Sequence, residues 1–308
     1  MRAIRIHSFG GMDVLKNEEV PLPQPGAGEI RIRVIAAGVN PVDWKMRQGY
    51  GNPPLPMIMG VDVSGVVDAK GEEEKAFKIG DEVYAKVTPP DGGYAEYTLT
   101  DASQAAPKPK SIGFVEAAAV PTAGLAAWQS IFDTAKLKAG QSILIHGAAG
   151  GVGSFAVQLA KWKDAFVIGT ASADHTQFLK ELGADQVIDY RAQRFEDVVR
   201  NVDVVLDTVG KDTFDRSWGV LKPGGFLVTT VAMVPEGAAA SHGVGASRIV
   251  TKPDGMELGR IAELIDQGYV KPRVTTVLPL AEAGKAQEMS ESQHARGKIV
   301  LRVAEDPS

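Results

Sequence analysis

The chain contains no cysteine. That excludes disulfides, a thiolate nucleophile, and any zinc or iron–sulfur site built on cysteine sulfur. Histidine is sparse too: His7, His146, His175, His242 and His294 are scattered, and none stands at metal-ligand spacing from another, so no metal site is expected. No Gly-Lys-Ser/Thr closes a glycine-rich segment, which excludes a Walker A loop, and the absence of Gly-x-Ser-x-Gly excludes a serine-hydrolase elbow. Apolar runs such as Ile143 to Ile145 and Val202 to Leu206 fall far short of the roughly 18 to 20 residues a membrane helix needs. The first residues, Met1 to His7, alternate like a strand and build no apolar signal core, so a cytoplasmic protein with no membrane association is expected. Positive charge is not in excess. A net charge of -5 with both signs interspersed offers no field for a phosphate backbone, and small molecules rather than nucleic acid are the expected partners.

What is present is an ordinary globular α/β composition: 308 residues, 44% hydrophobic, 23% charged and 34 glycines. That length makes two domains the natural division. Residues 1 to about 115 carry short β-branched stretches separated by glycine and proline, namely Glu29 to Val34, Val61 to Val67, Glu82 to Ala85 and Tyr94 to Leu99. They predict an antiparallel β-domain. From there the alanine-rich stretch Val115 to Ile131 reads as helix, and then strands alternate with helices, the pattern of a doubly wound parallel sheet. Strands are expected at Ser142 to His146, Phe166 to Thr170, Gln186 to Asp189, Val202 to Leu206 and Gly225 to Thr230, with helices at Val152 to Lys163 and His175 to Leu182. This second domain spans 116 to 250. The segment 251 to 308 adds a helix, Gly255 to Gln267, and two strands, Thr275 to Leu280 and Gly297 to Val303, which are expected to return to the first domain.

The chemical signal is the turn Gly147-Ala148-Ala149-Gly150-Gly151-Val152-Gly153, which follows a buried-strand run and opens a helix. Gly150 and Gly153 occupy the second and third places of G-x-G-x-x-G, where a missing side chain lets a pyrophosphate approach and the helix pack on the sheet; Ala148 stands in the first. Ala149, Gly150, Gly151 and Val152 are the expected cofactor contacts, with the helix N-terminus facing the phosphates. The second strand runs out in Ile168-Gly169-Thr170-Ala171-Ser172 with no carboxylate for an adenosine ribose. Small hydroxyl residues leave room for a 2′-phosphate, so NADPH is favoured over NADH. Asp174 could take the ribose instead, or cap the helix that follows.

The whole chain resembles the zinc-independent quinone oxidoreductase and alkenal reductase branch of the medium-chain dehydrogenase/reductase superfamily. The likeness is carried by Gly38-Val39-Asn40-Pro41-Val42-Asp43-Trp44-Lys45, Gly92-Gly93-Tyr94-Ala95-Glu96-Tyr97, Ala118 to Trp128, and the glycine turn. It implies a GroES-like domain that carries the substrate, a Rossmann domain, an active site in the cleft between them, and commonly a homodimer. Zinc-bearing relatives would read Gly-His-Glu along Gly60 to Gly65; Asp62 stands there instead.

The resemblance places Asn40 beside the nicotinamide, Tyr94 at the cleft edge, and Thr122 on the carboxamide or ribose. Each has a plainer reading: an Asx-turn before Pro41, a core aromatic, and an N-cap. Asp43, Trp44 and Arg47 could line the substrate side, or cap a helix and pack. For the 2′-phosphate the branch's pattern falls on Ser172 and Tyr190. A lysine common after that serine is missing, so Arg191 or Arg194 must supply the charge. Arg296, in the segment Gln293 to Ile299, is the expected contact of a return loop, or else part of a solvated basic patch. With no thiol, zinc or evident acid/base pair, the cofactor carries the chemistry and the protein supplies position. The expected reaction is NADPH-dependent reduction of a quinone or an α,β-unsaturated carbonyl, both electrophilic acceptors. Asn40, Tyr94 or a cofactor hydroxyl are candidate oxyanion donors. Two other readings stay open: a cofactor-binding regulatory or structural protein, and an enoyl-thioester reductase.

Overall fold

In a computed structural model, which describes residues 1–292 and 297–306, the chain forms two compact units. One comprises Met1–Thr122 with Pro253–Ser308, the other Ala123–Lys252.

The first unit begins with eight strands: β1 (Arg2–Ile6), β2 (Lys16–Glu19), β3 (Glu29–Val39), β4 (Met57–Ile58), β5 (Asp62–Lys70), β6 (Glu82–Lys86), β7 (Tyr97–Asp101) and β8 (Ala105–Pro107). The β-branched residues of β3 and β5 supply its core, which holds Ile30, Ile32, Val34, Val63 and Val67, each wholly buried. Burying a side chain of that size stabilises by about 1.5 to 3 kcal/mol. Helix α1 (Pro41–Arg47) follows β3 at once, with Pro41 at its first turn and Asn40 in extended conformation at its N-cap. The alanine-rich stretch splits at Pro121 into α2 (Phe114–Ala118) and α3 (Pro121–Trp128), and a π-helical turn over Gln129–Thr134 completes it. Proline lacks the N–H that a continuous helix would need there.

The second unit is a six-stranded, wholly parallel sheet of β9 (Ser142–His146), β10 (Phe166–Ala171), β11 (Gln186–Asp189), β12 (Val202–Asp207), β13 (Leu221–Thr229) and β14 (Gly245–Arg248). Its order β11-β10-β9-β12-β13-β14 is the doubly wound arrangement, with the strand order reversing between β9 and β12. Helix α4 (Gly151–Trp162) joins β9 to β10. The sequence pattern misses β14, whose four half-buried residues Gly-Ala-Ser-Arg carry no β-branched side chain.

The last segment supplies β15 (Val274–Pro279) and β16 (Lys298–Arg302) to the first unit, where β16 pairs antiparallel with β3 from Ile299↔Val39 to Arg302↔Ala36. The seven-stranded sheet there runs β15-β16-β3-β5-β6-β8 with β7 also on β3, and it is antiparallel apart from the parallel pair β15–β16. Between its two strands this segment carries a helix, Ala283–Glu291, that the sequence pattern does not reveal. Its mix of alanine with Lys, Gln, Glu and Ser gives only a weak apolar stripe, yet Ala283, Ala286 and Gln287 are buried.

Candidate functional site

In the second unit the glycine turn leaves the end of β9 beside the point where strand order reverses. Gly147 has φ +69°, and a side chain on it would meet Thr208 Oγ1 at 2.5 Å. The neighbouring turn is itself built by Asp207, wholly buried, whose Oδ1 accepts from Val209 N (3.0 Å) and Gly210 N (2.8 Å), while Oδ2 accepts from Thr229 Oγ1 (2.9 Å). Thr208 Oγ1 donates to the His146 carbonyl at 2.7 Å, which ties the two turns together. Neither Asp207 nor Thr208 stood out in the sequence. The available signal was an aspartate closing an apolar run three residues before a glycine.

Ala148, buried, fills the first motif position without crowding because it faces Gly169 of β10. Gly153 is the tightest point: a Cβ there would lie 2.3 Å from the Gly147 carbonyl oxygen and 2.7 Å from Ala148 Cα. Gly150, exposed, is the N-cap of α4 with no side-chain cap, and Ala149, Gly151 and Val152 are half-buried around it. Among the described residues, the N–H groups of Ala149, Gly151, Val152 and Gly153 have no backbone partner outside the helix itself. The first-turn N–H groups of a twelve-residue helix, carrying the positive end of its dipole, thus open where the glycines leave room; this cradle fits a pyrophosphate.

At the end of β10, Ser172 is buried. The next residues form a short 3₁₀ turn, Ala173–His175, and the helix after it, Thr176–Glu181, is capped by His175 without a side-chain bond. Asp174 is exposed and does not cap that helix, which removes the capping alternative of its two sequence readings. Tyr190, just past β11, is 58% exposed, and the Arg191 guanidinium lies 5.7 Å over its ring. Arg194 is held by Glu196 (2.7 Å from Nε), so of the two arginines proposed to supply positive charge it is the engaged one. Arg191 makes no ion pair among the described residues.

His146 has no accessible surface. Ser217 Oγ donates to the Thr213 carbonyl at 2.6 Å, so at 3.1 Å it accepts from His146 Nε2–H; Nδ1 then accepts from Thr170 Oγ1 at 3.1 Å. Burial, with the nearby Arg216 charge, depresses this imidazole to about 3. It is a neutral strut beneath the turn.

In the first unit, the residues read from the resemblance converge on one buried polar network. Asn40 is 3% exposed; its Nδ2 donates to Asp62 Oδ2 at 2.9 Å, and its Oδ1 accepts from Lys298 Nζ at 2.5 Å. Lys298 Nζ also donates to the Val39 carbonyl at 3.2 Å. Asp62 in turn accepts from Thr122 Oγ1 (2.5 Å) and from Thr122 N (3.0 and 3.1 Å), so it caps the start of α3. Thr122 caps nothing; it is capped. Asp43 Oδ2 accepts from Asn40 N at 2.7 Å, the helix-capping reading, and from Tyr94 Oη at 2.8 Å.

Tyr94 requires a correction. It has no accessible surface and its hydroxyl is committed to Asp43, so it is a core residue and not the edge of an opening. Arg47 is likewise 1% exposed and bound to Gln287 Oε1 (2.8 Å), the Gly10 carbonyl (2.9 Å) and Glu291 (3.2 Å), which removes it from any substrate wall. Trp44 is half-buried, with the Lys45 ammonium over its ring. Arg296 lies outside the described residues.

Burial raises both carboxylates, Asp43 to about 7, and lowers the Lys298 ammonium; Asp62 and Lys298 partly offset each other by attraction. Sequence reasoning missed Lys298 and the capping role of Asp62. The signal was a lysine opening the apolar strand Ile299-Val300-Leu301.

Two family models match the chain: an alcohol dehydrogenase GroES-like domain over residues 26–110 and a zinc-binding dehydrogenase over residues 182–301. Among the described residues no group of three or more His, Cys, Asp or Glu could hold a metal ion, so the second description finds no ligand set here. The chain is 38% identical over 317 residues to "NADPH-dependent alkenal/one oxidoreductase, chloroplastic" of Arabidopsis thaliana, covering 98% of this chain and 79% of that protein. It is 32% identical over 323 residues to the quinone oxidoreductase of Mus musculus, covering 98% and 97%. The solved quinone oxidoreductase from Coxiella burnetii superposes with a TM-score of 0.87 at 35% identity, covering 98% of this chain and 99% of that one.

Proposed function

The chain belongs to the zinc-independent quinone oxidoreductase and alkenal reductase branch of the medium-chain dehydrogenase/reductase superfamily, and from that premise we propose that it reduces a quinone or an α,β-unsaturated carbonyl at the expense of NADPH. The observation that carries the reading is the turn at the end of β9, where Gly153 lies against the Gly147 carbonyl and the N-terminus of α4 opens beside Gly150. When bound, NADPH supplies a hydride for the electrophilic carbon of the acceptor.

The chain's own residues bind, orient and hold charge. The N–H groups of Ala149, Gly151 and Val152, with Gly150 leaving room between them, take the pyrophosphate. Ser172 and Tyr190 take the 2′-phosphate, and the Arg191 guanidinium, already stacked over Tyr190, supplies the positive charge. The absence of a carboxylate at Ala171 and Ser172 removes the group that would repel that phosphate. Asn40 and Thr122 hold the nicotinamide end, Asn40 through the amide hydrogen that Asp62 leaves unused. No described side chain is assigned as proton donor, and water fills that role. We further read a cytoplasmic homodimer. Among the described residues no helix is long and apolar enough to cross a membrane.

The test is a fluorescence titration with NADPH and NADH in parallel, followed by a panel of quinones and enones on the same sample. Tighter binding of NADPH, with its oxidation by at least one panel member, is the expected result. Tight binding without turnover would overturn the catalytic reading and leave a cofactor-binding protein. Higher rates on an enoyl thioester than on any quinone or enone would replace the acceptor class. Fractionation and sedimentation equilibrium test location and dimer.

A further inference from the structure

We infer that Lys298 and Asp62 are positioning residues that lock the Asn40 side-chain amide in one of its two orientations, so that its free N–H points in a single direction. The inference rests on the proposed function, which puts Asn40 and Thr122 at the nicotinamide end.

An asparagine amide is nearly symmetric in shape, and only its neighbours decide which end is oxygen. Here both ends are decided independently. At one end, Lys298 Nζ lies 2.5 Å from Asn40 Oδ1 and also donates to the Val39 carbonyl, which can only accept; an ammonium has no acceptor to offer in return. At the other end, Asn40 Nδ2 lies 2.9 Å from Asp62 Oδ2, and a carboxylate only accepts. Turning the amide over would set donor against donor at Lys298 and acceptor against acceptor at Asp62. In a site this buried, both mismatches would go uncompensated by water.

Nδ2 carries two hydrogens and Asp62 uses one, so the direction of the second follows from the clamp. The same Asp62 receives Thr122 Oγ1 and Thr122 N, which fixes the first turn of α3 by the carboxylate that orients Asn40. Two residues 82 positions apart in sequence are thereby held to one point. Lys298 reaches it because β16 pairs with β3 in the register Ile299↔Val39, one step from Asn40.

Four variants test the clamp: Lys298→Met, Lys298→Gln, Asp62→Asn, and the double variant Asp62→Asn with Lys298→Gln. Each is measured for thermal midpoint, NADPH affinity, and kcat and KM with the best acceptor of the panel. Lys298→Met removes the donor and should lower kcat by about tenfold or more, with a smaller effect on NADPH affinity, whose main contacts are on the glycine turn. Lys298→Gln keeps a donor for Asn40 Oδ1 and should retain more kcat than Lys298→Met. Asp62→Asn sets an amide donor against Asn40 Nδ2 and should lower both midpoint and kcat.

The double variant is decisive. The amide introduced at position 62 can then donate to an inverted Asn40, whose Nδ2 finds the side-chain oxygen introduced at position 298. This variant should recover the thermal midpoint lost by Asp62→Asn while kcat stays low, since the Asn40 amide now points the wrong way. Recovery of kcat together with the midpoint would overturn the positioning role and leave a structural network. Failure to recover the midpoint would overturn the clamp itself, and wild-type kcat in Lys298→Met would do the same. A wild-type protein that binds no NADPH would refute the proposed function instead, and the midpoint series would still judge the clamp.

Discussion

Replacing Gly153 with alanine adds one methyl group at the place where the turn is tightest. Its Cβ would sit 2.3 Å from the Gly147 carbonyl oxygen and 2.7 and 2.9 Å from the Ala148 backbone, whereas ordinary contact begins at 3.4 Å. Something must move by about 1 Å, and every atom in the way is backbone of the turn, so no side chain can swing aside. Overpacking of this kind costs about 1 to 3 kcal/mol, occasionally more. At 1.4 kcal/mol per tenfold, that is about 5- to 150-fold in NADPH affinity if the displacement falls wholly on the bound conformation. Strain expressed in the free protein should appear as a lower unfolding midpoint. Gly219→Ala is the matched control in the same unit, since a Cβ there meets nothing within 4 Å and its φ is ordinary. Fluorescence titration with NADPH and thermal unfolding of both variants read the two quantities together. If Gly153→Ala matches Gly219→Ala in both dissociation constant and midpoint, the account of the turn is wrong.

Arg191→Ala should weaken NADPH binding by about tenfold or more, the worth of a charge-assisted hydrogen bond, and leave NADH nearly unchanged. Arg194→Ala should do much less because Glu196 already holds that guanidinium; equal effects in parallel titrations would refute the assignment. The depressed His146 is neutral in the fold, so the stability it contributes is fully present above its unfolded value of 6.5 and is lost as pH falls toward about 3. Between pH 8 and pH 5 that loss is about 2 kcal/mol, and urea unfolding of His146→Gln followed by tryptophan fluorescence should show a correspondingly flatter pH slope than wild type. Asp43 works in the opposite sense. With its folded value raised to about 7, its contribution is present below 3.8 and is lost as pH rises through 7, so Asp43→Asn should gain stability relative to wild type between pH 6 and pH 8.

Five of the six strands of the second unit were legible, because a doubly wound sheet writes itself as buried β-branched runs punctuated by helices. Strands Ser142–His146 and Gln186–Asp189 have the predicted bounds, and the glycine turn stands where the motif put it. What escaped was whatever depends on partners remote in sequence. Tyr94 has the alternating neighbours of a surface strand residue, but its burial is decided by Asp43, 51 positions away. Arg47 reads as a free cation near Asn40 until Gln287 and Glu291, on a helix 240 residues later, are seen to hold it. A helical lysine or arginine is exposed by default; only the tertiary contact reverses that. Ser172 and Tyr190 were reached through resemblance, and of the two arginines named with them Arg194 is held by Glu196 while Arg191 lies over the Tyr190 ring.

The buried network of the first unit also has a charge problem that its hydrogen bonds resolve. Two fully buried carboxylates, Asp43 and Asp62, are set against one buried ammonium, Lys298, and burial pushes all three toward their neutral forms. The half-buried Lys86 feels both carboxylates but is itself disfavoured as a cation by burial. Around Asp62 the contacts come from Thr122 N, Thr122 Oγ1 and Asn40 Nδ2, and the two nitrogen donors cannot accept a proton in return. A proton placed there has only the Thr122 hydroxyl to go to, which would have to turn from donor to acceptor. Asp43 differs: its Oδ2 takes both donors, Asn40 N and Tyr94 Oη, and its buried Oδ1 takes none among the described residues. A proton on Oδ1 disturbs no existing bond, in keeping with the raised value of Asp43. Asp62, which caps the helix, faces Lys298 across the Asn40 amide, and that attraction opposes the effect of its burial. The two aspartates, 19 positions apart and both buried, thus serve different ends because one is saturated with donors and the other is not.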